Sequence, residues 1–137
     1  MDVTVEQASH GRLITAEQQE LPVSATFRYT DADPLAVHVD FPPDVTLDGE
    51  GATWTFGRTL LEAGLRGPSG SGDVHIWPCG RDRTVLEFHS ARGMALLQFD
   101  TPALRRFLLR TYAVVAPGEE DLTAAVDKSL NALFRPA

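Results

Sequence analysis

Residues 21–41 constrain the fold most. Leu21, Val23, Ala25, Phe27 and Tyr29 alternate with Pro22, Ser24, Thr26 and Arg28. A repeat of two puts every second side chain on one face, which is the pattern of a half-buried strand and not of a helix. Asp31-Ala32-Asp33-Pro34 follows. Asx side chains bond nearby backbone, and proline ends the run, so this segment is a turn. Leu35, Val37, Val39 and Phe41 then alternate with Ala36, His38 and Asp40, up to the break at Pro42-Pro43. Two such runs around a short turn predict an antiparallel hairpin.

The same signal recurs downstream. Ala52, Trp54 and Phe56 alternate with Thr53 and Thr55, and Trp54 and Phe56 are expected to face the core. Strands are also expected at Asp73–Trp77, Thr84–Phe88 and Met94–Phe99, with Pro78, Gly80 and Gly93 in the intervening turns. Strands about ten residues apart argue for an antiparallel sheet or barrel and against a βαβ fold. Between them, Leu60, Leu61 and Leu65 suit a short helix over Thr59–Leu65, and Gly67–Gly72 reads as a flexible loop.

The C-terminal part is helical in pattern. Asp100 or Thr101 is placed to cap a helix with Pro102 in its first turn. Leu104, Phe107, Leu108 and Thr111 line one face, with Arg105, Arg106 and Arg110 mostly on the other. After Ala116-Pro117-Gly118, acids Glu119, Glu120 and Asp121 open a second helix. Its stripe is Leu122, Val126, Leu130 and Leu133 with Phe134 beside it, either closing the core or forming an oligomer seam. The expected class is α+β: an antiparallel β-barrel-like sheet, one short mid-chain helix and two C-terminal helices.

At 137 residues the chain is expected to form a single domain, residues 1–137, with a core of its own. Cys79 is the one cysteine, so no internal disulfide is possible. No apolar run reaches the roughly 18 residues of a membrane span, and the N-terminus lacks a signal-peptide pattern. An untargeted cytoplasmic protein without direct membrane insertion is expected. The net charge of −7 opposes phosphate backbones.

Chemistry-bearing constellations are sparse. His10, His38, His75 and His89 have no metal-ligand spacing among themselves or with Cys79, and His38 and His75 fall at outward positions of strands. Cys79 has no base and orienting group legible beside it. The acids from Asp31 to Glu50 lack a calcium-loop pattern and read as a solvated edge. Gly67–Gly72 lacks the lysine ending of a phosphate loop. Three arginines on one helix fall short of the roughly six to ten phosphate contacts of a nucleic-acid binder. No catalytic residue, metal ligand or cofactor is assigned, and the protein is expected not to be an enzyme.

Four segments, in order, resemble one family. Tyr29-Thr30-Asp31-Ala32-Asp33-Pro34-Leu35-Ala36-Val37 is similar to its "RY…DPYAV" stretch. The run Trp54-Thr55-Phe56-Gly57-Arg58-Thr59-Leu60-Leu61-Glu62-Ala63-Gly64-Leu65 is similar to "W.F.R.LL..GL". Pro68 to Pro78 resembles "P.G.GDV…P", and Phe107-Leu108-Leu109-Arg110-Thr111 resembles "FL.RT". The family is the SsgA-like sporulation and cell-division proteins of actinobacteria, and the likeness spans roughly residues 20–120. Leu35 stands where tyrosine is common, and Trp77 is shared with only some paralogues.

The resemblance implies a non-enzymatic regulator of septation that helps to position or recruit the division protein FtsZ at septum sites. It implies a Whirly-like fold, akin to single-stranded nucleic-acid binders, and a homo-oligomer, a trimer. The partners implied are FtsZ or other septal division proteins and family paralogues, met in the cytoplasm at the division septum. Arg58, Asp73 and Trp77 are taken as partner-contact candidates, Trp77 because aromatics are enriched in interface hot spots. The alternative reading, single-stranded nucleic-acid binding, needs a basic groove with exposed stacking aromatics. Here the aromatics Trp54, Phe56, Phe27 and Phe88 sit in core-like alternation.

Overall fold

In the computed structural model, which describes residues 2–43, 49–91 and 93–120, the alternating runs become neighbours in one antiparallel sheet. The strands are β1 (Thr4–Ile14), β2 (Glu20–Thr30), β3 (Ala36–Phe41), β4 (Ala52–Gly57), β5 (Val74–Cys79), β6 (Arg83–Ser90) and β7 (Gly93–Asp100). Two helices complete the described part: α1 (Arg58–Gly64) and α2 (Thr101–Val114). The sheet order is β4-β3-β2-β1-β7-β6-β5. Consecutive strands form hairpins on each flank, and β1 joins the two halves by pairing with both β2 and β7.

The sheet curls into a half-barrel. Trp54 on edge strand β4 stacks on Phe88 of β6, with ring centroids 4.7 Å apart, although four strands lie between them in the sheet. Val23, Ala25, Phe27 and Tyr29 of β2 all point inward and are buried. α2 lies over one end of this concave face. Its Leu104, Phe107, Leu108 and Thr111 are buried, as the helical stripe predicts, and Phe107 packs 5.5 Å from Phe27. The convex face carries polar cross-strand pairs instead: Arg28 on Asp40 at 2.6 Å, Thr53 on Asp40 at 2.6 Å, and His38 on Thr55 at 2.8 Å.

α1 follows β4 and packs on β5. Gly64 permits this approach, because a Cβ there would lie 2.3 Å from Cγ2 of Ile76. A methyl group cannot fit at that distance, so the glycine sets how close helix and strand can come.

Several expectations are corrected. β1 was not legible as a strand, yet it is central. Leu35 lies exposed in the turn before β3 instead of on its buried face. Asp100 occupies the N-cap of α2 without a side-chain cap bond. Its carboxylate lies 3.5 Å from Arg83, while the Thr101 hydroxyl pairs with Thr84 at 2.8 Å. The Gly67–Gly72 segment is pinned to the sheet: Ser69 and Ile76 exchange two backbone hydrogen bonds of 2.9 Å. The expected second C-terminal helix, with Leu122, Val126, Leu130, Leu133 and Phe134, lies outside the described residues. Among the described residues no helix is long and apolar enough to cross a membrane.

Candidate partner-binding face

Side chains of β5 alternate across the sheet. Val74 and Ile76 enter the core, so His75 and Trp77 face outward. The register with β6 sets His75 opposite Glu87 and Trp77 opposite Val85. Val85 is buried although it belongs to the convex face, and it lies directly across the ladder from Trp77. His89, one residue pair further along β6, lies with its ring 5.7 Å from that of His75 and bonds through Nε2 to Glu87. A shallow cleft runs between Pro68, Ser69 and Gly70 on one side and His75, Trp77 and Glu87 on the other. Trp77 is half-buried there, a rigid aromatic surface with polar neighbours.

Asp73 stands exposed just before β5. Its carbonyl accepts the His89 backbone N–H at 2.7 Å, which fixes the loop end while leaving the carboxylate at the surface. Asp73 and Trp77 therefore share one flank of the molecule, at the Gly-rich segment and β5.

Arg58 does not join them. Its side chain is 1% exposed, so the expectation of a surface contact gives way to an internal role. The guanidinium lies between the rings of Tyr29 and Tyr112, 4.9 and 5.0 Å from their centroids. It donates to the carbonyls of Thr111 at 3.2 Å, Val115 at 2.6 Å and Ala116 at 3.3 Å, and to the Glu120 carboxylate. The Thr111 and Ala116 carbonyls also accept the Val115 and Glu119 backbone N–H groups, at 3.0 and 3.1 Å, so Arg58 ties an already bonded helix end, with the Val115 carbonyl, to the body of the fold. Burial, the largest single influence, would raise the Glu120 carboxyl, but the Arg58 hydrogen bond, backbone N–H bonds and the Arg58 charge together outweigh it and hold the group below its ordinary value. Burial, and then the Glu62 hydrogen bond, push the Tyr112 phenol up to about 12.

The remaining candidates stay apart. His10 bonds Ser24 at 3.1 Å and His38 bonds Thr55, both on the convex face. Arg110 donates to the Glu6 carbonyl at 3.0 Å, and Arg105 and Arg106 are exposed on α2. Among the described residues no three His, Cys, Asp or Glu side chains converge on a possible metal site. Another concavity lies on the inner face beside Trp54, Phe88 and Phe41, and the described residues that line it are apolar, with none suited to acid–base or nucleophilic chemistry.

Sequence reasoning missed two associations. The His75–Glu87–His89 group beside Trp77 follows from hairpin register, which is legible once β5 and β6 are counted back from their turn. The Arg58–Glu120 pair spans a chain distance that no local motif encodes.

The family model for the Streptomyces sporulation and cell division protein SsgA matches residues 23–120. The chain belongs to the SsgA family. The sporulation-specific cell division protein SsgB of Salinispora tropica is 43% identical over 134 residues, 96% of this chain and 93% of its own. SsgB of Streptomyces coelicolor is 40% identical over 134 residues, 96% of each chain. A solved structure from work on SsgB mutations and longitudinal division in sporulating Streptomyces coelicolor superposes with a TM-score of 0.80. It has 39% identity and covers 90% of this chain and 97% of that one. The crystal structure of an SsgA-like sporulation-specific cell division protein from Thermobifida fusca also gives 0.80, at 29% identity. That superposition covers 98% of this chain and 96% of the other.

Proposed function

We propose that this chain is a non-enzymatic adaptor of sporulation-specific cell division that helps to position or recruit FtsZ at septum sites. The observation that carries the reading is the match, along nearly the whole of both chains, to proteins named for sporulation-specific cell division. The surface chemistry agrees with it. The half-buried Trp77 with the exposed Asp73 offers an aromatic anchor beside a charge, the composition of a protein–protein contact. Arg58 serves this role indirectly, by holding the end of α2 against the body of the fold.

The adaptor works in the cytoplasm at the septum as a homo-oligomer, a trimer, with division proteins and family paralogues as partners. The apolar pattern of Leu122, Val126, Leu130, Leu133 and Phe134 in the sequence is offered for its seam or its core. The Whirly-like kinship of the fold belongs to this same reading. Nucleic-acid binding has no observation in its favour: the net charge is −7, Phe27, Phe56 and Phe88 are buried, and Trp54 stacks inward on Phe88.

A fluorescent fusion in sporulating cells of the native organism tests the proposal. It should form septal ladders that coincide with FtsZ, and removal of the protein should disperse the FtsZ ladders. A fusion spread evenly through the cytoplasm, with FtsZ ladders unchanged on its removal, would contradict it.

A further inference from the structure

The half-barrel leaves a gap between its two edge strands, and the β4 side of that gap is chemically open. The Arg58 N–H bonds the Leu35 carbonyl at 2.8 Å, which fixes the phase of the β3–β4 ladder. Counting back in twos, Phe56, Trp54 and Ala52 turn their backbone groups toward β3. Thr53 and Thr55 turn both of theirs outward and Gly57 its N–H, while the Gly57 carbonyl, at the N-cap of α1, takes the first bond of that helix. Among the described residues no strand pairs with that side of β4, which ends the sheet.

The opposite edge is treated differently. Ser69 occupies the free side of β5 at Ile76, and Pro78 removes a donor further along. Between the two edges runs an open groove. Its floor is apolar, from Phe56, Leu60, Ala63 and Val74, and its far wall is the Gly70–Asp73 segment. Gly70, at φ +124°, lies so near β5 that a Cβ would sit 2.4 Å from the Val74 carbonyl. Among the described residues no lysine or arginine lines the groove, and the Asp73 carboxylate is the charged group that does.

We propose that this groove receives an extended segment of a partner polypeptide as an added, antiparallel strand on β4. Free N–H and C=O groups repeating every second residue are the complement of another extended backbone. Alternate side chains of the added strand would then fall on the apolar floor. The others face outward near Asp73, so the fitting segment alternates apolar with basic residues. This rests on the adaptor reading and names the kind of partner segment it would take.

In an antiparallel pair, residues that exchange bonds with Thr55 have side chains on the same face as Thr55, the outer one. The backbone N–H groups that bind β4 are therefore those of the outward, basic residues. The test uses a synthetic octapeptide of alternating lysine and valine, with fluorescence anisotropy and amide hydrogen exchange on the full chain. Saturable binding is expected, with protection at Thr53, Thr55 and Gly57. Backbone N-methylation of the lysines should weaken it by at least about tenfold, or roughly 1.4 kcal/mol. N-methylation of the valines should not. Thr55→Pro removes an outward donor and leaves the β3 ladder intact, so it should weaken binding similarly; the methylated peptides need no altered fold.

Absence of saturable binding, equal loss from both methylated peptides, or protection elsewhere would overturn the proposal. Protection of the β4 amides that grows with protein concentration alone would assign the edge to a second copy and overturn it too. A chain that pellets with FtsZ yet ignores the peptide retains the adaptor role without this site. One that binds the peptide but never meets FtsZ does the reverse.

Discussion

Arg58 sits buried between the rings of Tyr29 and Tyr112 and holds the end of α2 to the body of the fold. In the sequence it closes a Trp-x-Phe-x-Arg run, and an arginine next to a short helix usually points to solvent or a partner. Its partners are Glu120 and the carbonyls of Thr111, Val115 and Ala116 around the end of α2, which only the folded chain brings near. Removing the guanidinium strands the buried Glu120 carboxylate and takes away the Arg58 bond to the Val115 carbonyl. Arg58→Ala should cost about 3–5 kcal/mol in denaturant unfolding. Arg58→Lys should recover only part of this, since an ammonium cannot reproduce the planar fork between two tyrosine rings. The same pair sets an acid sensitivity. The Glu120 carboxyl is held below its ordinary value of 4.5, so its contribution is complete above that pH and is lost as pH falls further. Thermal melts of wild type and Glu120→Gln should therefore differ most near neutrality and converge on acidification. A gap that stayed constant with pH would contradict the ion-pair account.

Among elements, period-two strands with one apolar face were legible: β2, β3 from Val37 onward, and β4 to β7 within a residue or two. β1 was not, for a physical reason. Its inward positions are Val5, Gln7, Ser9, Gly11 and Leu13, and only the first and last are apolar. Gln7 donates to the Ala103 carbonyl of α2 at 2.8 Å, and Gly11 lies under the Phe99 ring, where a Cβ would come within 2.5 Å. Polar and small residues do the work there that apolar ones do elsewhere, so the alternation vanishes from the sequence. α1 is held by the opposite device, a missing side chain. Gly64→Ala should push α1 off Ile76 and cost about 1–3 kcal/mol by overpacking, measured by urea unfolding. Ala63→Gly, next to it but exposed, offers a control with no steric term and a smaller loss.

At the scale of the molecule, composition and charge excluded more than they assigned. Ordinary composition and a net charge of −7 placed the chain among acidic globular proteins, and four ordered segments pointed to the family. A barrel-like curl follows from short strands about ten residues apart, but the contact of β4 with β6 and the gap between the edges were not legible, because no local pattern encodes contact between strands at opposite ends of a sheet. The site follows the same division: Trp77 and Asp73 could be picked out one at a time, but their shared flank required the register of β5 on β6. The central claim is that this surface brings the chain to the division machinery. Co-sedimentation of the purified protein with GTP-polymerised FtsZ from its own organism tests that most directly. Saturable, polymer-dependent pelleting is expected, falling several-fold in Trp77→Ala while the melting temperature stays within a few degrees of wild type. A folded protein that stays in the supernatant at every FtsZ concentration would contradict it.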